Sequence, residues 1–354
     1  MNRRNWVVSV FVAVVSIVAT LIAPVVHADS TSGDLYYTTF ATDADGFRLF
    51  KITYTYDGAA TLSFSPEVDI SGPGLGLTGS DGVVFDPTAA GFAIVGGQGT
   101  NAFFRVNLST GAATSSGAIG TIDDGIFHLA VDPSLTSVWG SGIPGSPIAN
   151  IALTGVGFGG SSTLTISGAV DAITGLAFVP AIGGPTIAYY TASDFTGGSA
   201  TPNNGSFGTI NLSTGVTTEL FDNIPAAHGL LFDPFTGDLI LTGDSEIRQF
   251  HPGTGFVATL SVPGNLFDQA AVDGAGHLFV ASNDSDLFFL DYSGTSDLDA
   301  GGNFSTLVSG FKANLDDVAP QILPPSNPVP EPASLLLFGL GGLGAAFTRR
   351  RRLI

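Results

Sequence analysis

The sequence predicts an all-β protein built as a β-propeller, and three observations lead to this fold class. Gly accounts for 48 of the 354 residues and Phe for 27, whereas charged residues make up only 12% of the chain. An apolar hexapeptide recurs through the body of the sequence, and each copy is followed by further strand-like runs. Many glycines among β-branched and aromatic residues favour short strands joined by tight turns.

The hexapeptide is an apolar run that ends in Asp-Pro or a close variant. Its five copies are residues 82–87 (GVVFDP), 128–133 (HLAVDP), 175–180 (GLAFVP), 229–234 (GLLFDP) and 269–274 (QAAVDG). The last residues of successive copies are 46, 47, 54 and 40 positions apart, which is typical of propeller repeats. We expect each copy to form a strand buried between neighbouring blades, and Pro to end it because Pro cannot donate to a ladder.

Further strands are predicted after each copy. Second strands are expected at 92–95, 137–139, 187–190, 239–242 and 278–281. Third strands that lead into a Thr-Gly turn begin at Phe103, Phe207 and Ile247, and a short fourth strand at 258–261 completes one unit. Four strands per repeat at this period form a propeller blade.

The two ends of the repeat region predict how the ring closes. Residues 35–40 and 47–54 have the pattern of a second and a third strand with no first strand before them. Residues 315–320 (LDDVAP) have the pattern of a first strand with no second strand after it. If the two fragments share one blade, no sheet edge stays open. The sequence therefore predicts six blades within residues 29–323, with seven as the alternative because the 180–234 interval holds extra residues.

Residues 1–28 have the pattern of a secretory signal peptide. Arg3 and Arg4 precede an apolar run from Trp6 to Val26, and the small residue Ala28 marks the predicted cleavage site. An uncleaved membrane anchor is the alternative, because the apolar run is long.

The C-terminal segment has three parts in a fixed order. Residues 324–332 form a Pro-rich linker that contains a Pro-Glu-Pro motif, and residues 333–354 contain an apolar run with several glycines. The run is followed by four basic residues, Arg349, Arg350, Arg351 and Arg352. This order predicts a transmembrane helix with an Arg-rich cytoplasmic tail and places the preceding domain outside the cytoplasm.

The tail, from Val329, Pro330, Glu331 and Pro332 through the apolar run to the arginine cluster, resembles the PEP-CTERM sorting signal. The resemblance implies a Gram-negative, exopolysaccharide-producing bacterium whose exosortase recognises the tail and cleaves near the Pro-Glu-Pro motif. It also implies a protein that is transiently anchored in the membrane and then reaches the cell surface or extracellular matrix. A plain tail anchor is the alternative.

Charge and cysteine content exclude several classes of function. The net charge is −19, and six of the eleven basic residues lie in the terminal segments. The remaining domain is strongly acidic and would repel phosphate backbones, so no nucleic-acid partner is expected. The chain has no Cys, which excludes thiol catalysis, Cys-ligated zinc and iron–sulfur clusters.

The candidate binding residues lie at the start of the predicted first strands, where propeller strands enter the central channel. They are Asp81, His128, Thr174, His228, Asp268 and Asp316. Two imidazoles and several carboxylates on one axis could bind a divalent cation such as calcium, with Asp81, His128, His228 and Asp268 as the predicted ligands. In the alternative, these polar side chains line a water-filled channel and bind no ion.

Other polar clusters are predicted to be structural. Asp291, Asp297, Asp299 and Asn303 lie among glycines but match no full calcium loop, and Asp43 and Asp45 form a still shorter cluster, so both are expected to be solvated turns. His251 and His277 fall at turns and are predicted to be surface residues. No catalytic motif such as a Gly-x-Ser-x-Gly elbow is present, and no catalytic residue is predicted.

These observations predict an exported propeller at the cell surface or in the matrix. The expected role is non-enzymatic binding or structure in association with exopolysaccharide, with a polysaccharide or a surface protein as partner. A metal-dependent hydrolase or lactonase-like enzyme is the alternative. Fold alone cannot separate the two, because propellers host both enzymes and binding scaffolds.

Overall fold

The computed structural model describes residues 30–39, 48–71, 80–97, 101–120, 122, 125–142, 147–168, 171–180, 185–193, 205–225 and 227–321. The predicted signal peptide with Ala28, the linker at 324–332 and the sorting helix with its arginine cluster at 333–354 lie outside the described residues. Within those residues, no helix has the length and apolar character needed to cross a membrane.

The described residues form 25 β-strands. The first four are β1 (Thr31–Thr39), β2 (Leu49–Tyr56), β3 (Leu62–Phe64) and β4 (Val68–Asp69). Blade 1 consists of β5 (Ser80–Phe85), β6 (Phe92–Gly97), β7 (Phe103–Asn107) and β8 (Ala113–Ser115). Blade 2 consists of β9 (Leu129–Val131), β10 (Ser137–Gly140), β11 (Ile148–Leu153) and β12 (Phe158–Leu164).

The remaining strands follow the same order. Blade 3 consists of β13 (Ala172–Val179), β14 (Ile187–Ser193), β15 (Gly205–Ile210) and β16 (Thr217–Ile224). Blade 4 consists of β17 (Gly229–Asp233), β18 (Asp238–Gly243), β19 (Glu246–His251) and β20 (Gly255–Ser261). Blade 5 consists of β21 (Phe267–Val272), β22 (His277–Ser282), β23 (Asp286–Asp291) and β24 (Phe304–Ser309). The last strand of the chain is β25 (Leu315–Pro320).

Blade 6 joins the two ends of the described chain. Its sheet has the order β25-β1-β2-β3, and β4 also pairs with β2. In the other five sheets, consecutive strands are neighbours and pair antiparallel, and the first strands of all six blades contact one another in a closed ring. The six-bladed propeller closed by its terminal strands is therefore confirmed, and each recurring hexapeptide forms or adjoins a first strand.

The glycines of the hexapeptide allow first strands of adjacent blades to approach closely. The backbone N–H of Gly82 donates a 2.7 Å hydrogen bond to the carbonyl of Phe127, which precedes blade 2. A Cβ atom at position 82 would lie 2.2 Å from that carbonyl oxygen, and one at Gly229 would lie 2.7 Å from the carbonyl oxygen of Asp268 in blade 5. Both distances are too short for any side chain, so the tight ring requires glycine at these positions.

The hydrophobic core is divided among the blade interfaces. The described residues form six apolar clusters, and each combines side chains from two neighbouring blades. Between blades 3 and 4, for example, the ring of Phe207 packs edge-on against that of Phe250 at a centroid distance of 4.8 Å. Burial of apolar surface between blades therefore stabilises the ring, because a single four-stranded sheet has little core of its own.

The aspartates of the Asp-Pro turns add polar links between blades. Asp233 accepts a 2.9 Å hydrogen bond from the backbone N–H of Phe235, which closes its own turn. Its other carboxylate oxygen accepts a 2.9 Å bond from the hydroxyl of Tyr292 in the loop after β23 of blade 5. Blade 4 is thereby attached to blade 5 by a buried bond to a carboxylate.

Tyr292→Phe is expected to lower the free energy of unfolding by about 1.5–3 kcal/mol at neutral pH, the range for a hydrogen bond to a charged group. Burial and the charge of Asp233 raise the pKa of Tyr292. Above about pH 10 the unfolded chain therefore loses a proton that the folded chain keeps, so stability falls with rising pH. The Phe variant lacks the part of this loss that comes from Tyr292, so the difference in stability between the two proteins should be smaller at pH 10.5 than at pH 7. Urea unfolding at both pH values measures this difference.

Tyr189→Phe is the control, since burial alone raises the pKa of Tyr189. This variant should lose less stability at pH 7, because no carboxylate is left without its donor. Equal losses in the two variants at pH 7 would show that the bond to Asp233 contributes nothing measurable.

Candidate metal centre

Five of the six residues predicted at the start of the first strands lie close together around the axis of the ring, whereas the hydroxyl of Thr174 donates to the carbonyl of Ala227 instead. Asp81 lies in β5, Thr174 in β13, Asp268 in β21 and Asp316 in β25, while His128 and His228 directly precede β9 and β17. Five of the six are at most 7% exposed, and the side chain of His228 is 14% exposed. These side chains therefore form a buried cluster rather than the lining of a wide water-filled channel.

Three of the six place donor atoms close together. The Nε2 atoms of His128 and His228 are 3.2 Å apart. Oδ1 of Asp268 lies 3.0 Å from Nε2 of His228 and 3.8 Å from Nε2 of His128. The three residues come from blades 2, 4 and 5, so only ring closure brings them together.

These separations suit a shared ion. The point in the plane of these three atoms that is equidistant from them lies about 2.0 Å from each. This is the bond length of zinc to imidazole nitrogen and carboxylate oxygen. Two imidazoles and one carboxylate form a ligand set used for Zn²⁺ and other divalent transition metals. Calcium prefers six to eight oxygen ligands at longer distances, so this donor set is poorly suited to calcium.

Neighbouring side chains orient the carboxylate of Asp268. Its Oδ2 atom accepts a 3.1 Å hydrogen bond from Nδ2 of Asn283, which leaves Oδ1 directed towards the histidines. Asp81, predicted as a ligand, lies on the other side of His128, with its Oδ1 atom 3.8 Å from Nδ1. That distance is too long for a direct hydrogen bond.

Burial and mutual charge set the protonation of the cluster. Burial lowers the pKa of His128 to about 3, so its imidazole is neutral, as a metal ligand must be. Burial acts to raise the pKa of Asp268, but the adjacent imidazole of His228 holds it below its usual value. Burial and the charges of Asp81 and Asp268 raise the pKa of Asp316 well above its usual range.

Threonines of the second strands fix the backbone of the cluster. The hydroxyl of Thr242 in β18 donates a 2.5 Å bond to the carbonyl of Asp268, and that of Thr191 in β14 donates a 3.0 Å bond to the carbonyl of His228. The hydroxyl of Thr38 in β1 donates to the carbonyl of Asp81. In each case a second strand positions an axial residue of the next blade.

Two residues differ from the sequence-based expectation: Asn283 was not predicted to contact the cluster, and His277 was predicted to be exposed. Asn283 follows β22, whose end pairs with the start of β21, and this hairpin register was the signal that could have placed it beside Asp268. His277, predicted as a surface residue, is only 4% exposed, and its Nδ1 lies 2.6 Å from Asp273. The prediction is wrong because the ring of Tyr56 from blade 6 packs against the imidazole.

The predicted solvated turn at 291–303 is also wrong in part. Asp291 is 8% exposed, and its carboxylate accepts hydrogen bonds from the hydroxyls of Tyr56 and Ser293. Asn303 donates to the carbonyls of Asp297 and Leu298. These groups hold the loop together through bonds to one another. Asp43 and Asp45 lie outside the described residues.

Fold and site thus define a six-bladed β-propeller with a buried His and Asp cluster on its axis. Residues 328–352 match the family model of the PEP-CTERM protein-sorting motif. The motif implies that the chain is exported, sorted by an exosortase and transiently anchored in the membrane of a Gram-negative bacterium.

Comparison with solved structures shows the fold alone. A chain in a crystal structure of a nidogen/laminin complex is 14% identical with a TM-score of 0.58, covering 81% of this chain and 97% of that one. A chain in a crystal structure of the mitotic checkpoint complex is 14% identical with a TM-score of 0.47, covering 76% of this chain and 75% of that one. The WD40 β-propeller domain of Doa1 is 12% identical with a TM-score of 0.45, covering 67% and 70%. No curated protein matches the chain.

Proposed function

We propose that the mature protein is a non-enzymatic binding or structural propeller of the cell surface or extracellular matrix, associated with exopolysaccharide. The observation that carries the proposal is the sorting motif at 328–352 placed directly after a closed propeller that ends at Pro320. Because the motif follows the last strand of the propeller in the sequence, cleavage near the motif would leave the complete propeller outside the membrane.

Burial of the axial cluster supports a binding role over hydrolysis. The side chains of His128 and Asp268 are 7% and 3% exposed, so a polymer could not reach them without rearrangement of the blades. Binding to a matrix component would instead use the outer surface. That surface includes an open groove of about 900 Å³ between blades 2 and 3, bordered by Asp132, Phe178 and Asn211 among others.

Replacement of the Pro-Glu-Pro motif tests delivery. The full chain and a Pro330→Ala, Glu331→Ala, Pro332→Ala variant would be expressed in an exopolysaccharide-producing host that has an exosortase. We expect the wild-type protein in the matrix fraction at a reduced mass, and the variant as an unprocessed membrane form. The readout is mass and location by immunoblot of cell fractions.

A matched strain that makes no exopolysaccharide separates delivery from association. Wild-type protein should be processed there but recovered in the medium instead of the matrix. Retention on the cell in both strains would contradict the association with exopolysaccharide. Release of soluble sugars from purified matrix by the wild-type protein would instead support the metal-dependent hydrolase.

A further inference from the structure

Four aspartates are buried at or next to the axial cluster. Asp81, Asp268, Asp316 and Asp317 are each at most 6% exposed. Of the five Lys and Arg side chains in the described residues, four pair elsewhere, with Asp69, Asp34, Asp86 and Glu246. Buried carboxylates need a counter-charge or a proton, because transfer of an isolated charge out of water is very unfavourable.

Two buried atoms of the cluster lack hydrogen-bond partners within the described part of the chain. Oδ1 of Asp268 faces the two histidines, whereas Nδ1 of His128 faces Asp81. Oδ1 of Asp268 also lies 3.0 Å from Nε2 of His228. Buried polar atoms without partners are uncommon, and a bound ion or water is a common reason for them.

We propose that His128, His228 and Asp268 bind one divalent transition-metal ion, with Zn²⁺ as the representative, and that this ion ties blades 2, 4 and 5 together. The equidistant point about 2.0 Å from the three donors carries the proposal, because one ion can occupy it with ordinary zinc bond lengths. The ion also supplies positive charge directly beside the carboxylate of Asp268.

The neighbouring residues Asn283 and Asp81 are placed where they can orient the proposed ligands. Asn283 holds the far oxygen of Asp268, and ligating carboxylates are commonly anchored in this way. Asp81 faces Nδ1 of His128, the position from which a carboxylate orients a metal-bound imidazole, and a slight closure of the 3.8 Å gap would form that bond. Asp81 is thus assigned to positioning rather than to direct ligation.

Metal content of the full chain, purified in mild detergent without chelator, tests the proposal. We expect one divalent transition-metal ion per chain by mass spectrometry, and near-complete loss of it in His228→Gln and in Asp268→Asn. His251→Gln is the matched control, since this histidine is half-exposed and lies away from the axis, and it should keep the full amount. Equal metal content in all variants would overturn the assignment.

A second measurement needs no ligand variant and holds even if the variants fail to fold. Metal-stripped wild-type protein should unfold at a lower temperature than the untreated protein, and added Zn²⁺ should restore the original midpoint. Co²⁺ in place of Zn²⁺ should give the visible absorption bands of a nitrogen- and oxygen-ligated ion. No bound metal, and no shift of the midpoint with either chelator or Zn²⁺, would refute the proposal.

Discussion

A chain that ends after Asn314 is expected to lose the cooperative unfolding transition of the propeller. The truncation removes β25, the first strand of blade 6, while it leaves every other strand intact. In the full chain β25 pairs antiparallel with β1, for example through Tyr36 opposite Ala319, and its first and fourth residues, Leu315 and Val318, are at most 2% exposed. Without β25, blade 6 has no first strand, and the closed ring of first strands around the axis is broken.

The expected effect is as large as the stability of a typical domain. Burial of Leu315 and Val318 contributes about 1.5–3 kcal/mol each. The truncation also removes Asp317, whose carboxylate accepts a 2.8 Å hydrogen bond from the N–H of Val83 in blade 1. Together with the lost ladder bonds, these terms approach the total of about 5–15 kcal/mol that keeps a domain folded.

Thermal unfolding followed by near-ultraviolet circular dichroism measures the outcome. A chain that ends after Gln321 is the control, since it keeps all of β25 and should melt in one sharp transition. A synthetic peptide of residues 311–321 at high concentration should restore part of the transition to the shorter chain, because binding of the missing strand favours the closed ring over the unfolded chain. Equal melting of both truncated chains would contradict closure by β25.

Arg105→Ala is expected to lower the free energy of unfolding by about 3–5 kcal/mol, because it leaves a buried carboxylate without its partner. Nε of Arg105 lies 2.6 Å from Oδ2 of Asp86, and the two side chains are 6% and 1% exposed. Its Nη2 also donates to the carbonyl of Gly155 in blade 2, and its guanidinium lies 3.8 Å from the ring centroid of Phe92. One side chain therefore connects blades 1 and 2.

Arg48→Ala is the matched control for this change. Its pair with Asp69 is as short, at 2.5 Å, but both side chains are more than 20% exposed, so the loss should be about 0–1 kcal/mol. Urea unfolding at pH 7 measures both variants. The double change Arg105→Met, Asp86→Asn should be less destabilising than Arg105→Ala, because no uncompensated charge stays buried. A loss below that of Arg48→Ala would show that the buried pair is unimportant.

Much of the fold could be predicted from local patterns. Residues 229–234 predict a first strand because an apolar run ends at Asp-Pro, and the structure has β17 at Gly229–Asp233. The number and spacing of such copies predict the number of blades, because each repeat forms one four-stranded sheet that packs both of its faces against the neighbouring blades. Closure followed from the strand patterns at 35–40 and 315–320, which are incomplete units at opposite ends of one chain.

The axial cluster could be predicted only in part. The first-strand positions place His128 and His228 on the axis, although they are 100 residues apart. Sequence alone could not separate the direct donors from Asp81, since that depends on rotamers and on distances of a few tenths of an ångström. Nor could it place His277 in the interior, because the ring that covers it, Tyr56, belongs to another blade.

The sequence by itself determined the strand order, the propeller class with six blades preferred over seven, and the export signal in the tail at 328–352. These features depend on local residue patterns that act within a few positions of one another. The tertiary structure alone decided which atoms face each other on the axis and which side chains connect the blades. Those contacts join residues far apart in the chain, and they exist only after the ring has closed.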